Sequence, residues 1–389
     1  MMKILYASCR YDPLDRDAGS GVDYNVLEAF KQLGCELRVI GPFKDTPSLV
    51  EKLYRRVHRL FSRKLTAKFS TSYLRKCAKL VDEAAEEYRP DAIFTHNLIP
   101  LVYSRSNVPV IYKTDAMLAN THAQWPTYSK LEFRRMLRWE HKALERSTLV
   151  ITASKWAEES LMKDYRVPRS RILVLPIPSS LPDQVIPEEV SKTAPTRDDL
   201  RLIAVARNPV MKGTEIVIET ARGLQNRGVN VQLRVIGQDG EDSIGIEYKG
   251  LYKKSDPVQL RGYVANYKWA HLLVHPSRVD SAGIVCSEAA AFGVPTITNA
   301  TGGLATTVQD GRTGIVLPRG SDAGAYVQAL EVLLDQPVEY LRLSRQARER
   351  YTAELTWPKA ASRILEKFHE LTMTSRNGSD RSTITLADR

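Results

Sequence analysis

The run Leu272-Leu273-Val274-His275-Pro276-Ser277-Arg278-Val279-Asp280-Ser281-Ala282-Gly283-Ile284-Val285-Cys286-Ser287-Glu288-Ala289-Ala290-Ala291-Phe292-Gly293-Val294-Pro295-Thr296-Ile297-Thr298 decides the fold class. Its apolar start, Leu272 to His275, reads as a short buried strand closed by Pro276. A loop of small residues follows. A helix is expected over Val285 to Phe292, and Gly293 and Pro295 end it before a second strand, Pro295 to Thr298. Strand, crossover helix and strand form a βαβ unit, whose strands run parallel.

The same alternation extends outward in both directions. Upstream lie a strand over Leu200 to Ala206, a helix over Thr214 to Asn226, and strands over Val231 to Gly237 and Ile246 to Leu251, then a helix near Pro257 to Tyr267. Downstream, Ser321 to Leu334 and Val338 to Leu371 read as helical. The N-terminal half repeats the pattern. Its strands are Lys3 to Ala7, Glu36 to Ile40, Ala92 to Thr95, Val110 to Tyr112 and Leu149 to Thr152, and its helices include Asp23 to Leu33 and Tyr128 to Arg146. Between the halves, Pro176 to Asp199 holds Pro176, Pro178, Pro182, Pro187 and Pro195 without apolar periodicity, and reads as a linker. The expectation is an α/β protein of two Rossmann-like, doubly wound parallel-sheet domains, residues 1–178 and 200–355, with the linker at 176–199. A ligand cleft is expected between the carboxyl ends of the two sheets.

Composition agrees with this and narrows the function. The chain has 389 residues, enough for two or three domains, and 43% apolar with 26% charged residues excludes a largely disordered protein. No stretch nears the length of a membrane span, and Met1 to Arg10 carries too short an apolar run for a secretory signal. Cys9, Cys35, Cys77 and Cys286 have no metal-type spacing, so a reducing cytoplasm is expected, with neither zinc nor disulfides. His271 and His275 stand four apart, but His275 ends a strand and the two share no helix face, so no metal site is expected. The excess of 56 basic over 45 acidic residues is local. Lys52, Arg55, Arg56, Arg59, Arg63, Lys64, Lys68, Arg75, Lys76 and Lys79 are ten cations in a segment with no Asp or Glu.

Three constellations sit in loops after strands. Arg207 and Lys212, with Gly213 opening the next helix, place a planar donor fork and a mobile point charge where a diphosphate would be clamped; the bland alternative is a solvated basic loop. Asp280 lies in the loop after Leu272 to His275, and Glu288 lies about one and a half turns into the following helix. Both read as acceptors for ligand hydroxyls, or else as a helix N-terminal acid and a satisfied helix carboxylate. Ala18-Gly19-Ser20-Gly21 permits close backbone approach to a phosphate or sugar, a weak signal alone.

Together these residues resemble the family 4 retaining glycosyltransferases of GT-B fold, over about Lys3 to Leu371. The resemblance is carried by Arg207 and Lys212, by Asp280 and Glu288 in place of an E-x7-E motif, by Gly293-Val294-Pro295-Thr296-Ile297, Thr301-Gly302-Gly303 and Val308-Gln309-Asp310-Gly311-Arg312-Thr313-Gly314, and by Ser154-Lys155-Trp156-Ala157 and Val174-Leu175-Pro176. Trp357 is similar to the tryptophan where the family's chain crosses back to its first domain, which implies a returning helix over 356–373 and a polar, frayed tail over 375–389.

The resemblance implies a role for each residue. Arg207 and Lys212 stabilise the leaving diphosphate, Glu288 accepts from the ribose hydroxyls and Asp280 from the donor sugar. Backbone N–H groups of Ser281, Ala282, Gly283, Ile284 and Val285 contact sugar and phosphate, Ser20 and Gly21 belong to the donor site, and Gly250 and Leu251 touch the base. Asp115, in Thr114-Asp115-Ala116, stands where a His is common and orients acceptor or sugar, or is a turn residue. The first acid is Asp280 instead of Glu, and Ala282 replaces a common aromatic. The implied reaction is a same-face, metal-independent hexosyl transfer from a nucleotide-sugar, UDP- or GDP-linked, to a glycan or lipid-linked acceptor in polysaccharide, glycolipid or other glycoconjugate synthesis, with no cofactor. Asp15-Arg16-Asp17 matches a metal-binding D-x-D by chance.

The cationic segment, with Leu53, Tyr54, Val57, Leu60, Phe61 and Leu65 at helical spacing, fits an anionic membrane surface, a helix packed on the first domain, or an anionic acceptor. A peripheral place on the inner membrane face follows from the first of these. A sugar-nucleotide epimerase or phosphorylase shares the fold. A nucleic-acid-binding protein lacks a recognisable module here, and a nicotinamide-dependent oxidoreductase lacks its phosphate fingerprint.

Overall fold

Ile4, Leu5, Tyr6 and Ala7 are all fully buried, so strand β1 (Lys3–Ala7) has both faces covered, the condition of a parallel sheet packed between helices. The computed structural model describes residues 1–9, 11–43, 45, 47–61 and 69–383, with the backbone alone at 59–61 and 374–383. Within the cationic segment, Arg63, Lys64, Leu65 and Lys68 lie outside the described residues, as does the end of the chain from 384.

The chain divides into Met1–Leu175 with Ala360–Arg389, and Pro176–Lys359. The first unit holds β1, β2 (Glu36–Ile40), β3 (Ala92–Thr95), β4 (Val110–Thr114), β5 (Leu149–Thr152) and β6 (Ile172–Val174), with helices α1 (Val22–Gln32), α2 (Leu49–Phe61), α3 (Thr71–Tyr88), α4 (Leu118–Gln124), α5 (Lys130–Arg146) and α6 (Lys155–Lys163). The second holds β7 (Leu200–Val205), β8 (Val231–Ile236), β9 (Ile246–Tyr248), β10 (Leu272–His275), β11 (Thr296–Asn299) and β12 (Gly314–Leu317). Its helices are α7 (Pro209–Lys212), α8 (Thr214–Gln225), α9 (Pro257–Trp269), α10 (Ile284–Ala291), α11 (Leu304–Thr307), α12 (Ala323–Leu334) and α13 (Pro337–Glu354), and α14 (Trp357–Thr383) begins in it and continues in the first unit.

Both sheets are six-stranded, with orders β2-β1-β3-β4-β5-β6 and β12-β11-β10-β7-β8-β9. Every strand pair is parallel. The two doubly wound sheets expected from the sequence are present. On β10, Leu272 and Val274 enter one core cluster with Ala221 of α8 and Tyr326 of α12, while Leu273 enters the other with Tyr267 of α9 and Phe292. Successive residues point to opposite faces, and both are covered. The chain winds one way from β1 to β2 and the other way to β3; likewise β7 leads to β8 on one side and has β10 on the other. At these reversals neighbouring loops diverge, leaving a crevice outside the carboxyl ends.

Several boundaries differ from expectation. The strands β6 and β12 are not among those expected. Residues 176–199 are not a free linker. Leu181 joins a core cluster of the second unit, Arg348 donates to Pro187 O and Glu188 O, and Ser287 donates to Ile177 O at 2.7 Å. The helix expected over Val338 to Leu371 is two, because Pro358 lacks an N–H and fits only in a first turn. The expected frayed tail starts late, since the α14 backbone is helical through Thr383.

In the cationic segment, α2 docks by polar side chains. Tyr54 donates to the buried Glu132 of α5 at 2.6 Å, His58 Nε2 lies 3.2 Å from Ser129 Oγ, and Arg55 pairs with Asp45. Four of its apolar residues turn outward instead, with Leu49 82%, Val50 77%, Leu53 63% and Val57 42% exposed, beside the exposed Lys52 and Arg56.

A buried carboxyl ties α4 to α5. Glu140 accepts from Leu118 N at 3.0 Å and from the Tyr165 hydroxyl, and burial pushes it up to about 7 despite those bonds. An unfolded Glu titrates near ~4.3, so folding favours the protonated form. That contribution is complete below about pH 4 and is lost as pH rises through about 7. Melting curves across pH 5 to 8 are expected to show Glu140→Gln losing less Tm than wild type, by a few degrees.

Candidate functional site

The reversal between β7 and β10 gathers the second unit's polar side chains. Asn208 Oδ1 caps the single turn α7 by accepting from Met211 N at 3.0 Å, and Pro209 occupies its first position. Gly213 ends that turn with φ +65°, and a Cβ there would lie 2.4 Å from Pro276 O. Only glycine therefore lets the β7 loop lie against the β10 loop. Bonds from Arg278 N to Met211 O at 2.8 Å and from Ser277 Oγ to the same oxygen at 3.2 Å join the two.

This contact carries Lys212 Nζ to 2.6 Å from Asp280 Oδ2. His275 Nε2 lies 2.8 Å from the same oxygen, while Oδ1 accepts from Gly283 N at 2.8 Å and Ala282 N at 3.2 Å. Burial alone would raise the Asp280 carboxyl; the Lys212 charge and the bonds from His275 and Lys212 outweigh it and hold the group well below the usual carboxylate range. All four lone-pair directions of Asp280 are occupied. Asp280 is thus already bonded within the protein, as in the reading of it as an acid at the helix N-terminus. The N–H groups of Ala282 and Gly283 are likewise directed at Asp280. Ile284 and Val285, in the first turn of α10, keep donors with no acceptor inside their helix. Ser281 is partly exposed beside them.

Glu288 is fully buried. Its Oε2 accepts from the hydroxyls of Tyr263 at 2.6 Å and Tyr267 at 3.0 Å, and its Oε1 takes the Lys254 ammonium. Burial and then the neighbouring negative charge push Tyr263 well above its ordinary value, so it stays a donor. The satisfied carboxylate is the geometry found. Lys254, 20% exposed and 5.2 Å from the Tyr263 ring centroid, stands between Glu288 and solvent.

Other predicted residues are placed differently. Arg207 is exposed, and among the described residues its side chain has no partner. Gly250, at φ +62°, accepts from Gly237 N at 2.7 Å, and Leu251 beside it is 53% exposed, so both lie at the same sheet end as Lys212. In the first unit Gly19, Ser20 and Gly21 all have left-handed φ, which Ser20 adopts without being glycine; Ser20 is exposed and Gly21 buried. Asp15 Oδ1 accepts from Asp17 N at 2.9 Å, a turn within the D-x-D match. Among the described residues no group of three His, Cys, Asp or Glu is arranged for a metal ion.

Asp115 belongs to a cluster that sequence reasoning missed. Its Oδ1 lies 2.5 Å from Lys113 Nζ and 3.4 Å from His96 Nε2, and Lys113 Nζ is 3.0 Å from that same ring nitrogen. His96 Nδ1 is 3.0 Å from Asp23 Oδ1, which also accepts from the Tyr6 hydroxyl at 2.7 Å. Burial would raise Asp115, but Lys113 and His96 hold it well below the usual range. Burial also opposes the charge on Asp23, and the His96 bond lowers it nonetheless. The one signal in the sequence was position: His96 follows β3, as Asp115 follows β4.

The comparisons with known proteins divide as the chain does. The model of the glycosyl transferases group 1 matches residues 185–350, and that of Glycosyltransferase Family 4 matches residues 24–178. A D-inositol 3-phosphate glycosyltransferase of Pseudarthrobacter chlorophenolicus is 24% identical over 278 residues, covering 67% of this chain and 65% of that protein. One from Corynebacterium aurimucosum is 25% identical over 279 residues, covering 66% and 65%. The match thus spans a little under two thirds of these relatives' length. Among solved structures, a sucrose-phosphate synthase from Thermosynechococcus elongatus has a TM-score of 0.67 at 18% identity, covering 96% of this chain and all of that one. A glycosyltransferase from Rickettsia africae has a TM-score of 0.65 at 14% identity, covering 95% and 98%. At these identities the structures share the fold.

The Gly213 contact gives a direct test of the loop junction. Gly228 has φ +77° and open space around its Cβ direction, so Gly228→Ala carries the backbone cost alone. Gly213→Ala adds the collision with Pro276 O and is expected to lower unfolding free energy by at least ~1 kcal/mol more in urea titrations.

Proposed function

The chain belongs to the family 4, group 1 glycosyltransferases, and on that premise we propose that it moves a sugar from a nucleoside-diphosphate donor to an acceptor hydroxyl, with retention at the anomeric carbon. The observation that carries this reading is the Lys212–Asp280 pair at the winding reversal of the second unit, with Arg207 and the first-turn N–H groups of α10 at the same sheet end. Family membership sets aside the nucleic-acid-binding and nicotinamide readings.

Breaking the bond between sugar and phosphate builds negative charge on the diphosphate. An ammonium has three donors. Asp280 occupies one on Lys212 and fixes its direction, and the others serve the phosphates as that charge grows. Arg207 closes on the diphosphate from the exposed side, and Ile284 and Val285 donate from the helix N-terminus. The cations take the part that a metal ion plays elsewhere. The acceptor hydroxyl loses its proton to the departing phosphate on the same face. In this reading Asp280 lies nearer the sugar and Glu288 nearer the ribose, reached once Lys254 swings aside. Asp115 orients acceptor or sugar hydroxyls in the first unit. UDP- and GDP-sugars are the first donors to try, and D-inositol 3-phosphate the first acceptor, from the names of the relatives.

The product is assigned to glycoconjugate synthesis, with a lipid-linked acceptor favoured by α2. Four outward apolar side chains beside Lys52 and Arg56 suit a helix lying in the headgroup layer of an anionic membrane. Each cation near such a surface contributes about 1 kcal/mol. Sedimentation with phosphatidylglycerol vesicles is expected to show Lys52→Glu/Arg56→Glu binding at least ~10-fold more weakly than wild type. Equal binding by both at low salt would remove the membrane reading and leave the transfer reading intact.

Turnover tests the main proposal. Thermal shift against UDP, GDP, ADP and their sugars identifies the donor, since ligand at ~100 times Kd adds about 2.7 kcal/mol. With that donor, Lys212→Ala is expected to lower kcat/KM by ~100-fold or more, and Arg207→Lys to lower it through loss of the planar fork. Glu288→Ala is expected to weaken free nucleotide, and Asp280→Ala, which releases Lys212 from its fixed direction, to lose sugar transfer. Near-normal turnover in both cation variants would remove the clamp.

A further inference from the structure

The first unit holds a second Lys–Asp–His grouping, at the reversal between β1 and β3, and its geometry differs from that around Asp280 in one respect. Asp280 has donors on both oxygens. Asp115 has Lys113 and His96 on Oδ1 alone; among the described residues Oδ2 accepts nothing, and the side chain keeps 33% of its surface. One oxygen is clamped from within and the other is offered outward. Behind it His96 and Asp23 form a chain that ends at the Tyr6 hydroxyl, inside the sheet. The charged and titratable groups facing His96 are Asp23 from α1, Lys113 and Asp115 from β4 and its end, and, through Asp23, Tyr6 from β1.

We propose that His96 is a positioning residue: braced by Asp23, it fixes Asp115 so that the open Oδ2 accepts a hydroxyl hydrogen from a sugar-type substrate. The assignment rests on the glycosyl-transfer reading for the identity of that substrate, though not for the arrangement itself. The imidazole has two ways to meet its neighbours. With both nitrogens protonated it donates to Asp23 and to Asp115, and the two carboxylates, the ammonium and the imidazolium sum to zero charge. With Nδ1 alone protonated, Nε2 accepts from Lys113, Asp115 loses a donor, and the cluster carries one negative charge. Burial and Lys113 oppose the imidazolium, while Asp115 and Asp23 favour it more strongly and raise His96 above its ordinary value. The state that holds Asp115 most firmly is therefore the protonated one, and it is lost as pH rises.

Two measurements on the full chain separate this inference from the transfer reading. In the first, histidine-labelled protein is titrated by NMR with no substrate, His96 being identified by its loss in His96→Gln. Asp115→Asn and Asp23→Asn are each expected to lower its midpoint by about 1 pH unit or more, and Lys113→Met to raise it. A midpoint near ~6.5 that Asp115→Asn leaves in place would overturn the arrangement. The variant at the half-buried Asp115 keeps this test available if the buried Asp23 variant does not fold. In the second, using whichever of UDP-glucose or GDP-mannose wild type turns over, His96→Gln is expected to cut kcat at least ~10-fold with UDP or GDP affinity within about 2-fold. The fall of wild-type kcat/KM at alkaline pH should be absent from the variant. Unchanged kcat, or an alkaline fall that survives in His96→Gln, would overturn the positioning role. If neither donor is turned over, the transfer reading fails for those sugars while the NMR titration still decides the His96 arrangement.

Discussion

The ion pair between Lys212 and Asp280 is the contact around which the second unit's site is arranged. A largely buried pair is stable only when its remaining valences are filled, because desolvation otherwise outweighs the attraction. Here His275 and two backbone N–H groups fill them. That requirement explains much of the local sequence. Gly213 admits the β7 loop, Gly283 adopts φ +64° so that its N–H reaches Asp280, and Ser277 and Arg278 fasten the loops together. A lysine fixed in this way presents its remaining donors in one direction, which a freely rotating side chain does not.

The two units use the same components at the same topological place. In each, a lysine and a histidine converge on one oxygen of an aspartate just beyond the carboxyl ends of parallel strands, next to the strand where winding reverses. A buried carboxylate without such partners would take up a proton and become a weaker acceptor. The difference lies in the second oxygen. Backbone donors fill it on Asp280, so that aspartate orders protein, while on Asp115 it remains open. Two similar groupings are thereby suited to different tasks, one directing a cation and the other presenting an acceptor.

Glu288 shows how a recognised pattern misleads about geometry. Two tyrosines and a lysine enclose it completely, from α9 and the loop before it. The tyrosines are chemically fixed as donors, so the cost of a ligand reaching this carboxylate falls on Lys254, a flexible side chain at the surface. The helix α2 makes the converse point. Its cations and apolar residues left open a membrane-facing helix or one packed on the first domain; its described inward contacts are polar, and Leu49, Val50, Leu53 and Val57 face solvent.

The sequence by itself determined the two doubly wound sheets, because continuous apolar strands such as Leu272 to His275 need cover on both faces, and only parallel strands with crossover helices provide it. It also placed Arg207, Lys212, Asp280 and Glu288 near strand ends, since in such folds the loops beyond the carboxyl ends are where ligands meet the chain. Its pattern did not mark β6 or β12, and it ran one helix from Val338 to Leu371, although the resemblance to the family already implied a separate helix over 356–373. Tertiary structure alone decided what each polar residue touches. Lys113 stands two residues before Asp115, but Asp23 and His96 lie on separate elements far from it in sequence, and only the strand order β2-β1-β3-β4 brings them there. Whether a carboxylate is open or closed was likewise undecidable from spacing, because hydrogen bonds form between atoms that the fold makes neighbours, and the seven residues between Asp280 and Glu288 say nothing of the Lys212 and Lys254 that meet them.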